Sequence, residues 1–201
     1  MTIWAFISDV HGNLPALEKA VATCSTLGIE RIVSLGDTLG RGDPDGCVRL
    51  VRESAAAAVV GNRDLDWADR VSAESRRYVL GLARVAEASD FIAVHGDCRL
   101  TRDLGSDDLR RGFERAYECL RKRDKRLLFF GHTHHARVWR KRRPGAQIEL
   151  LPAPVKLPAQ ATAVYIVNVG SVGLPFPGKG PPSFTIYDDQ ARWIEHVLLV
   201  R

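Results

Sequence analysis

Metal-ligating residue types follow short apolar segments at five points in this sequence. The segments are IWAFIS, RIVSLG, AAAAVVG, FIAV and RLLFFG, and the residues that follow them are Asp9, Asp37, Asn62, His95 and His132. Apolar runs of this length, bounded by Gly or a charge, are typical of buried strands. Functional side chains collect at the carboxyl ends of strands in open α/β sheets. We therefore expect these five side chains to meet at one sheet edge.

Two more histidines extend this set. His11 lies two positions after Asp9, and His134 lies two positions after His132. In an extended segment, residues two apart point to the same side, so each pair could hold one ion. A single Asp or His at a strand end is more often a turn former. Here, however, four of the six histidines belong to these motifs, and the joint pattern predicts a metal centre.

The chemistry of the seven donors indicates which metals to expect. Carboxylates, imidazoles and one amide suit Mn²⁺, Fe or Zn²⁺ better than they suit a cysteine-rich structural zinc site. Seven donors are too many for one ion. Two ions about 3.5–4 Å apart, sharing a bridging carboxylate, would use them all.

The elements that must position these residues follow from the hydrophobic pattern. Asn13 can cap a helix that ends near Gly28. Further helices are predicted at 44–53, 72–83 and 106–123, and a hairpin is predicted around Pro144-Gly145 with strands at 136–142 and 147–151. Strands are predicted at 163–169, 183–187 and 193–200, with loops at 152–158 and 173–182. The chain is thus expected to form one α/β domain over residues 1–201.

Composition limits the class of protein. The 201 residues are 45% hydrophobic and 26% charged, which is typical of a folded globular chain. The first residues lack the cationic start of a signal peptide, and no apolar stretch reaches the roughly 18 residues of a membrane span. We expect a cytoplasmic protein with no membrane partner. Cys24, Cys47, Cys98 and Cys119 form no CxxC pair, so free thiols are expected.

Positive charge is concentrated in one stretch. Residues 121–143 contain ten Lys and Arg and one acidic residue, in a chain of net charge +5. Such a stretch can face nucleic acid or phosphate. It is more often a solvated helix end and hairpin.

Five motifs resemble those of a known family, in the family's order. They are DVHGN (9–13), GDTLG (36–40), GN (61–62), VHG (94–96) and GHTH (131–134), and they resemble the calcineurin-like metallophosphoesterases. The stretches GDTLGRGDPDGCVRLVRE and NVGSVG (168–173) are similar to a small bacterial and archaeal branch. That branch contains phosphodiesterases and relatives of diadenosine tetraphosphatases and Ser/Thr phosphatases.

The resemblance implies a fold and a division of the ligands. The fold is a four-layer αββα sandwich of two mixed sheets flanked by helices. Asp9, His11 and His134 would hold the first divalent ion, while Asn62, His95 and His132 would hold the second. Asp37 would bridge the two ions, and Mn²⁺ is the expected metal, with Fe, Zn²⁺ and Ni²⁺ as alternatives. A hydroxide between the ions would attack phosphorus in line, and Asn13 would either contact the phosphate or only cap its helix.

One residue departs from the family pattern. Many members have a histidine after the asparagine of the third motif, thought to protonate the leaving group, and this chain has Arg63. Arginine does not give up its proton near neutral pH. It can bind phosphate and stabilise developing charge. We therefore expect Asp37 and Arg63 to act in catalysis and Asn13, Asn62 and Arg63 to bind substrate, with a preference for diesters and good leaving groups. His135, more often a surface residue, or water is a remaining proton source.

Three functions follow from these observations. The first is metal-dependent hydrolysis of phosphate esters, with phosphodiesters preferred and phosphomonoesters as a second class. A catalytically weak scaffold module is an alternative, because relatives with this fold serve in membrane-coat assemblies after losing ligands. A nuclease that uses residues 121–143 is another. The sequence does not specify the substrate or the oligomeric state.

Overall fold

A computed structural model describes residues 2–96, 109–151, 156–160, 162–175 and 180–199. Two six-stranded mixed sheets pack face to face. The first sheet has the order β3-β2-β1-β11-β12-β9 and consists of Ile3–Ile7 (β1), Arg31–Ser34 (β2), Ala55–Ala58 (β3), Lys156–Pro158 (β9), Ser183–Asp188 (β11) and Trp193–Leu198 (β12).

The second sheet has the order β4-β5-β6-β10-β7-β8. Its strands are Val85–Glu87 (β4), Phe91–Val94 (β5), Leu127–Phe130 (β6), Arg137–Lys141 (β7), Glu149–Leu151 (β8) and Val164–Asn168 (β10). Within each sheet three neighbouring strands are parallel: β1, β2 and β3 in the first, and β5, β6 and β10 in the second. These six strands point their carboxyl ends toward the candidate site.

Helices flank the two sheets. They are Leu14–Thr26 (α1), Pro44–Ser54 (α2), Asn62–Trp67 (α3), Ala73–Leu80 (α4) and Leu109–Lys122 (α5), with a 3₁₀ turn at Ala68–Arg70. Asn13 caps α1 by accepting a hydrogen bond from Ala16 N (3.2 Å), and Asp43 caps α2 by accepting one from Gly46 N (2.8 Å). The expected four-layer αββα sandwich is confirmed.

Alternating side chains build the core between the two sheets. Phe6 of β1 stacks on Phe129 of β6 with ring centroids 3.8 Å apart, and Phe91 meets Phe6 edge-on at 5.1 Å. All three side chains are at most 1% exposed. Burial of aromatic surface of this size dominates core energetics, so this contact holds the two sheets, and the strand ends they carry, at a set spacing.

Most predicted elements are present, and one loop prediction is partly wrong. The helices predicted at 44–53 and 72–83 are found, and that at 106–123 is found as α5, with 106–108 outside the described residues. The hairpin pairs β7 with β8, with Gly145 at φ 76 between them. Within the stretch 152–158, expected to be a loop, residues 156–158 instead form edge strand β9 against β12; residues 152–155 lie outside the described part. A three-residue edge strand ending in Pro gives no periodic signal.

Two other predictions concern thiols and membranes. Cys24, Cys47 and Cys119 are free thiols, the first two buried, and Cys98 lies outside the described residues. Among the described helices, none combines the length and the apolar character required to span a bilayer.

Candidate metal centre

The seven predicted residues lie just beyond strand ends and come together at one edge of the sandwich. His95 directly follows β5, Asp9 and His132 lie two residues beyond β1 and β6, and Asp37 lies three residues beyond β2. Asn62 is the first residue of α3. The two sheets therefore contribute to the same site, which explains why residues 123 positions apart in sequence are in contact.

Five of these residues have a left-handed backbone. The φ angles are 57° at Asp9, 53° at His11, 53° at Asp37, 67° at His132 and 56° at His134. Such angles cost about 1–3 kcal/mol each for side chains with a Cβ, and they concentrate at functional sites. The expectation that an extended segment aims each pair to one ion is wrong: the backbone is not extended, and His132 and His134 fall in different donor clusters. Each pair lies on a turn in which both members are left-handed, and this conformation directs their side chains inward.

A first cluster contains Asp9, His11 and His134. The two histidine Nε2 atoms lie 3.1 Å apart, and Asp9 Oδ1 lies 3.3 Å from His134 Nε2 and 3.8 Å from His11 Nε2. His134 Nδ1 donates a hydrogen bond to Leu174 O (2.5 Å). With its proton on Nδ1, the neutral His134 ring has a lone pair on Nε2, and this atom is directed at the cluster. Ligating histidines are usually oriented in this way.

A second cluster contains Asn62, His95, His132 and Asp37. His95 Nε2 lies 3.1 Å from Asn62 Oδ1, 3.2 Å from His132 Nδ1 and 3.4 Å from Asp37 Oδ2. His95 Nδ1 donates to Leu35 O (2.8 Å), so Nε2 is again the atom turned inward. Four donor atoms thus converge around one point.

Asp37 lies between the two clusters. Its Oδ2 is 3.4 Å from His95 Nε2 and 3.8 Å from His11 Nε2, while its Oδ1 accepts a hydrogen bond from Arg63 N (2.7 Å). The backbone bond occupies one oxygen and leaves the other facing both clusters. This is the geometry expected of a shared carboxylate.

Opposite charges shift the pKa values of the clustered groups. Burial alone would raise the pKa of Asp9, but the adjacent His134 and the other nearby histidines bring it below its ordinary value. Burial opposes protonation of His95, yet Asp37 and Asp9 raise its pKa to about 9. Burial lowers the pKa of His11, and the two aspartates offset this only in part. The buried carboxylates therefore attract positive charge, supplied by protons or by cations.

The residues fit divalent cations. Asp9 Oδ1 is buried and has no hydrogen-bond partner among the described residues. Unpartnered buried polar atoms are rare and call for an explanation such as an ion. The two Nε2 atoms of the first cluster lie 3.1 Å apart, close enough for both to bind one cation. The oxygen and imidazole donor set suits Mn²⁺, Fe or Zn²⁺.

The comparisons with known proteins decide the family. The family model described as "Calcineurin-like phosphoesterase superfamily domain" matches residues 1–192. The chain belongs to this superfamily.

A relative and two solved structures are similar to this chain over most of its length. The chain is 28% identical over 225 residues to the uncharacterised protein MJ0912 of Methanocaldococcus jannaschii, covering 96% of this chain and 85% of that protein. It resembles the crystal structure of a metallophosphoesterase from Sphaerobacter thermophilus with a TM-score of 0.80 and 27% identity, covering 97% and 87% of the two chains. Protein PH1004 of Pyrococcus horikoshii OT3 shares the fold, with a TM-score of 0.69, 15% identity and coverage of 98% and 88%.

In this calcineurin-like phosphoesterase, the segment 168–174 braces the first cluster. Ser171 Oγ donates to Asp9 O (2.9 Å), Asn168 Nδ2 donates to Gly131 O (2.7 Å), and Leu174 O accepts from His134 Nδ1. The NVGSVG motif noted in the sequence therefore holds the backbones of two ligand-bearing loops, and its residues do not themselves join the donor clusters.

A cleft of about 750 Å³ opens over the donor atoms. Its wall includes Arg63, whose side chain is 54% exposed, and a second arginine, Arg41, which the sequence analysis missed. Trp67 and Leu174 add apolar surface. Arg41 could have been recognised in the sequence, because it lies between two glycines directly after the Asp37 motif.

Asn13 lines the cleft but is occupied within the protein. Its Oδ1 accepts from Ala16 N and its Nδ2 donates to Gly173 O (2.9 Å). The residue thus caps α1 and ties it to the 168–174 segment. His135 lies beside Arg137, whose Nε donates to His135 Nε2 (3.3 Å), and it is not among the described residues that line the cleft.

Most of the basic stretch 121–143 lies at the end of the second sheet that is opposite the candidate site. Residues 121–126 precede β6, whereas the candidate site follows its far end. Lys141 and Arg140 pair with Val164 and Tyr165 at the start of β10, a strand about 13 Å long. Arg140 and Arg142 both bond Glu149, and Lys141 bonds Glu114 (3.1 Å). This placement favours the interpretation of a solvated, partly ion-paired surface.

Proposed function

We propose that this chain hydrolyses phosphate diesters at a centre of two divalent cations. The observation that carries the proposal is the convergence of seven oxygen and nitrogen donors into two clusters that share Asp37. Membership of the calcineurin-like phosphoesterases supports metal-dependent hydrolysis of a phosphoester as the reaction class.

The donor clusters suggest how the ligands divide. Asp9, His11 and His134 would hold the first ion, and Asn62, His95 and His132 would hold the second. Asp37 would serve both through Oδ2. Two bound divalent ions of this kind, Mn²⁺ being the expected metal, activate water as a nucleophile and offset negative charge on phosphoryl oxygens.

The residues of the cleft would hold the substrate. Arg41 and Arg63 line the same cleft as the donors, and arginine binds phosphate oxygens through paired hydrogen bonds. Asn62 borders the same cleft. Asn13 also lines the cleft, and because its side-chain atoms bond Ala16 N and Gly173 O, it supports the wall by holding α1 and the loop at Gly173.

Arg63 also favours diesters and good leaving groups. It occupies the position of the proton-donating histidine of many family members but keeps its own proton at neutral pH. A leaving group that departs as a stabilised anion, such as nitrophenolate, needs no proton. The cleft borders Trp67 and Leu174 as well as the arginines, which leaves room for a second ester substituent.

The test uses metal-stripped protein titrated with Mn²⁺, Ni²⁺ and Zn²⁺ against bis- and mono-nitrophenyl phosphate. We expect activity to require added metal and to be higher on the diester. Asp37→Asn should abolish turnover because it removes the shared carboxylate. Complete inactivity with every metal on both esters would reject the proposal in favour of a metal-binding scaffold.

A further inference from the structure

Asp64 is a buried carboxylate that none of the motifs above accounts for. Its side chain is fully buried and accepts three backbone hydrogen bonds. Oδ2 accepts from Asp37 N (3.0 Å) and Gly61 N (2.9 Å), and Oδ1 accepts from Leu39 N (2.9 Å). One carboxylate therefore joins the loop after β2 to the loop after β3.

These two loops are in very close contact. A Cβ on Gly61 would lie 2.2 Å from both Asp37 N and Asp37 Oδ1, so no other residue fits there without moving Asp37. On the other side of the Asp37 carboxylate, Arg63 N donates to Oδ1 (2.7 Å). The first turn of α3 thus holds both the backbone and the side chain of Asp37. The Asp64 carboxylate accepts from the Asp37 backbone N–H, and Arg63 N donates to the Asp37 side chain.

This arrangement opposes a specific strain. Asp37 has a left-handed backbone, φ 53°, which is unfavourable for a residue with a Cβ. Its N–H is directed into a buried region where an unbonded donor would be costly. Because Asp37 N and Leu39 N, before and after the strained Cα, both bond Asp64, the carboxylate holds the backbone in that conformation, in which Oδ2 faces both donor clusters.

We propose that Asp64 is a positioning residue that sets the place of the shared carboxylate of Asp37, and with it Asn62, for the second ion. It touches none of the inward-facing donor atoms and acts through the backbone. The inference rests on the two-ion centre proposed above. A carboxylate is needed because three donors point at it, and an amide at this place would present its own N–H group to one of them.

The experiment measures metal binding rather than turnover. Metal-free wild type, Asp64→Asn and Asp64→Ser are titrated with Mn²⁺ by calorimetry, and the loaded proteins are compared by low-temperature electron paramagnetic resonance. The matched control is Asp188→Asn. Asp188 is 1% exposed and accepts from Gln190 N (2.9 Å) and Ala191 N (2.7 Å). It pairs with Ile3, at the opposite end of β1 from Asp9.

Wild type is expected to bind two Mn²⁺ ions with an exchange-coupled spectrum. Asp64→Asn should bind one ion normally and the other about 10- to 100-fold more weakly, with the coupled spectrum replaced by that of isolated Mn²⁺. Asp188→Asn should lose thermal stability but keep both ions. Asp64→Ser, which is small enough to admit water, gives the same readout if the asparagine variant does not fold.

Two results would overturn the inference. One is two ions of wild-type affinity and coupling in the Asp64 variants. The other is a loss of metal affinity in Asp188→Asn as large as that in the Asp64 variants, when the melting temperatures of these proteins have fallen by the same amount. Failure of the two-ion proposal itself is distinguishable, because it would appear as fewer than two ions in the wild type.

Discussion

Gly131 offers a test of how closely the two sheets must approach for the site to form. A Cβ built on this glycine would lie 1.9 Å from Ser8 Oγ and 2.6 Å from Asp9 Oδ2. Asp9 Oδ2 accepts the backbone hydrogen bond of His132 (2.9 Å). In Gly131→Ala, this oxygen must retreat by roughly 0.8 Å to reach ordinary van der Waals contact. The change would move Asp9 away from His132 and His134 together.

The expected effects can be estimated from that displacement. Forcing a methyl group into a packed site costs about 1–3 kcal/mol of folding stability. A shift of about 1 Å at a reacting centre can lower the rate about 100-fold. We therefore expect Gly131→Ala to fold with a lower melting temperature, to bind Mn²⁺ more weakly, and to hydrolyse bis-nitrophenyl phosphate about 100-fold more slowly at saturating metal.

Gly96→Ala is the matched control. Gly96 also adjoins a histidine of the site, His95, but no described atom lies within 4 Å of a Cβ at this position. Calorimetric Mn²⁺ titration and steady-state kinetics on both variants decide the outcome. Equal activity and metal affinity in Gly131→Ala and Gly96→Ala would refute the idea that Asp9 is held by close contact with the loop before His132.

Three further predictions concern other parts of the molecule. Arg63→Ala should raise KM for bis-nitrophenyl phosphate by about tenfold, the loss of one charge-assisted contact, and unchanged kinetics on every substrate would remove Arg63 from the site. Burial lowers the pKa of His196 to about 4, below the 6.5 of an unfolded chain. Its contribution to stability is therefore present above pH 6.5 and is lost as pH falls toward 4, by about 3 kcal/mol. In denaturant melts of metal-free protein, His196→Gln should lack this part of the acid slope, and a pH-independent difference from wild type would contradict it. Arg142→Glu should leave activity and its salt dependence unchanged, because Arg142 bonds Glu149 away from the cleft; a steep loss would restore the nuclease hypothesis.

Local signals in the sequence were sufficient for the main elements. The apolar segments before Asp9, Asp37, His95 and His132 correspond to β1, β2, β5 and β6. A run of four or more consecutive buried residues predicts a strand without knowledge of the strands beside it. The cap of α1 at Asn13 was equally local. Edge strand β9 and the short helix α3 were missed, since three to six residues give too little periodicity and depend on the neighbours they pack against.

The identity of the donors was determined by the sequence, and their convergence by the tertiary structure. Asp, Asn and His after apolar runs predict ligands whatever the sheet order. Asp9 and His11 converge because both have a left-handed backbone, not because strand residues alternate. This backbone conformation depends on hydrogen bonds from distant segments, such as that from Ser171 Oγ to Asp9 O. The role inferred for Asp64 depends likewise on contacts 25 and 27 residues away. A strained conformation persists only when its surroundings over-determine it, and those surroundings exist only in the folded chain.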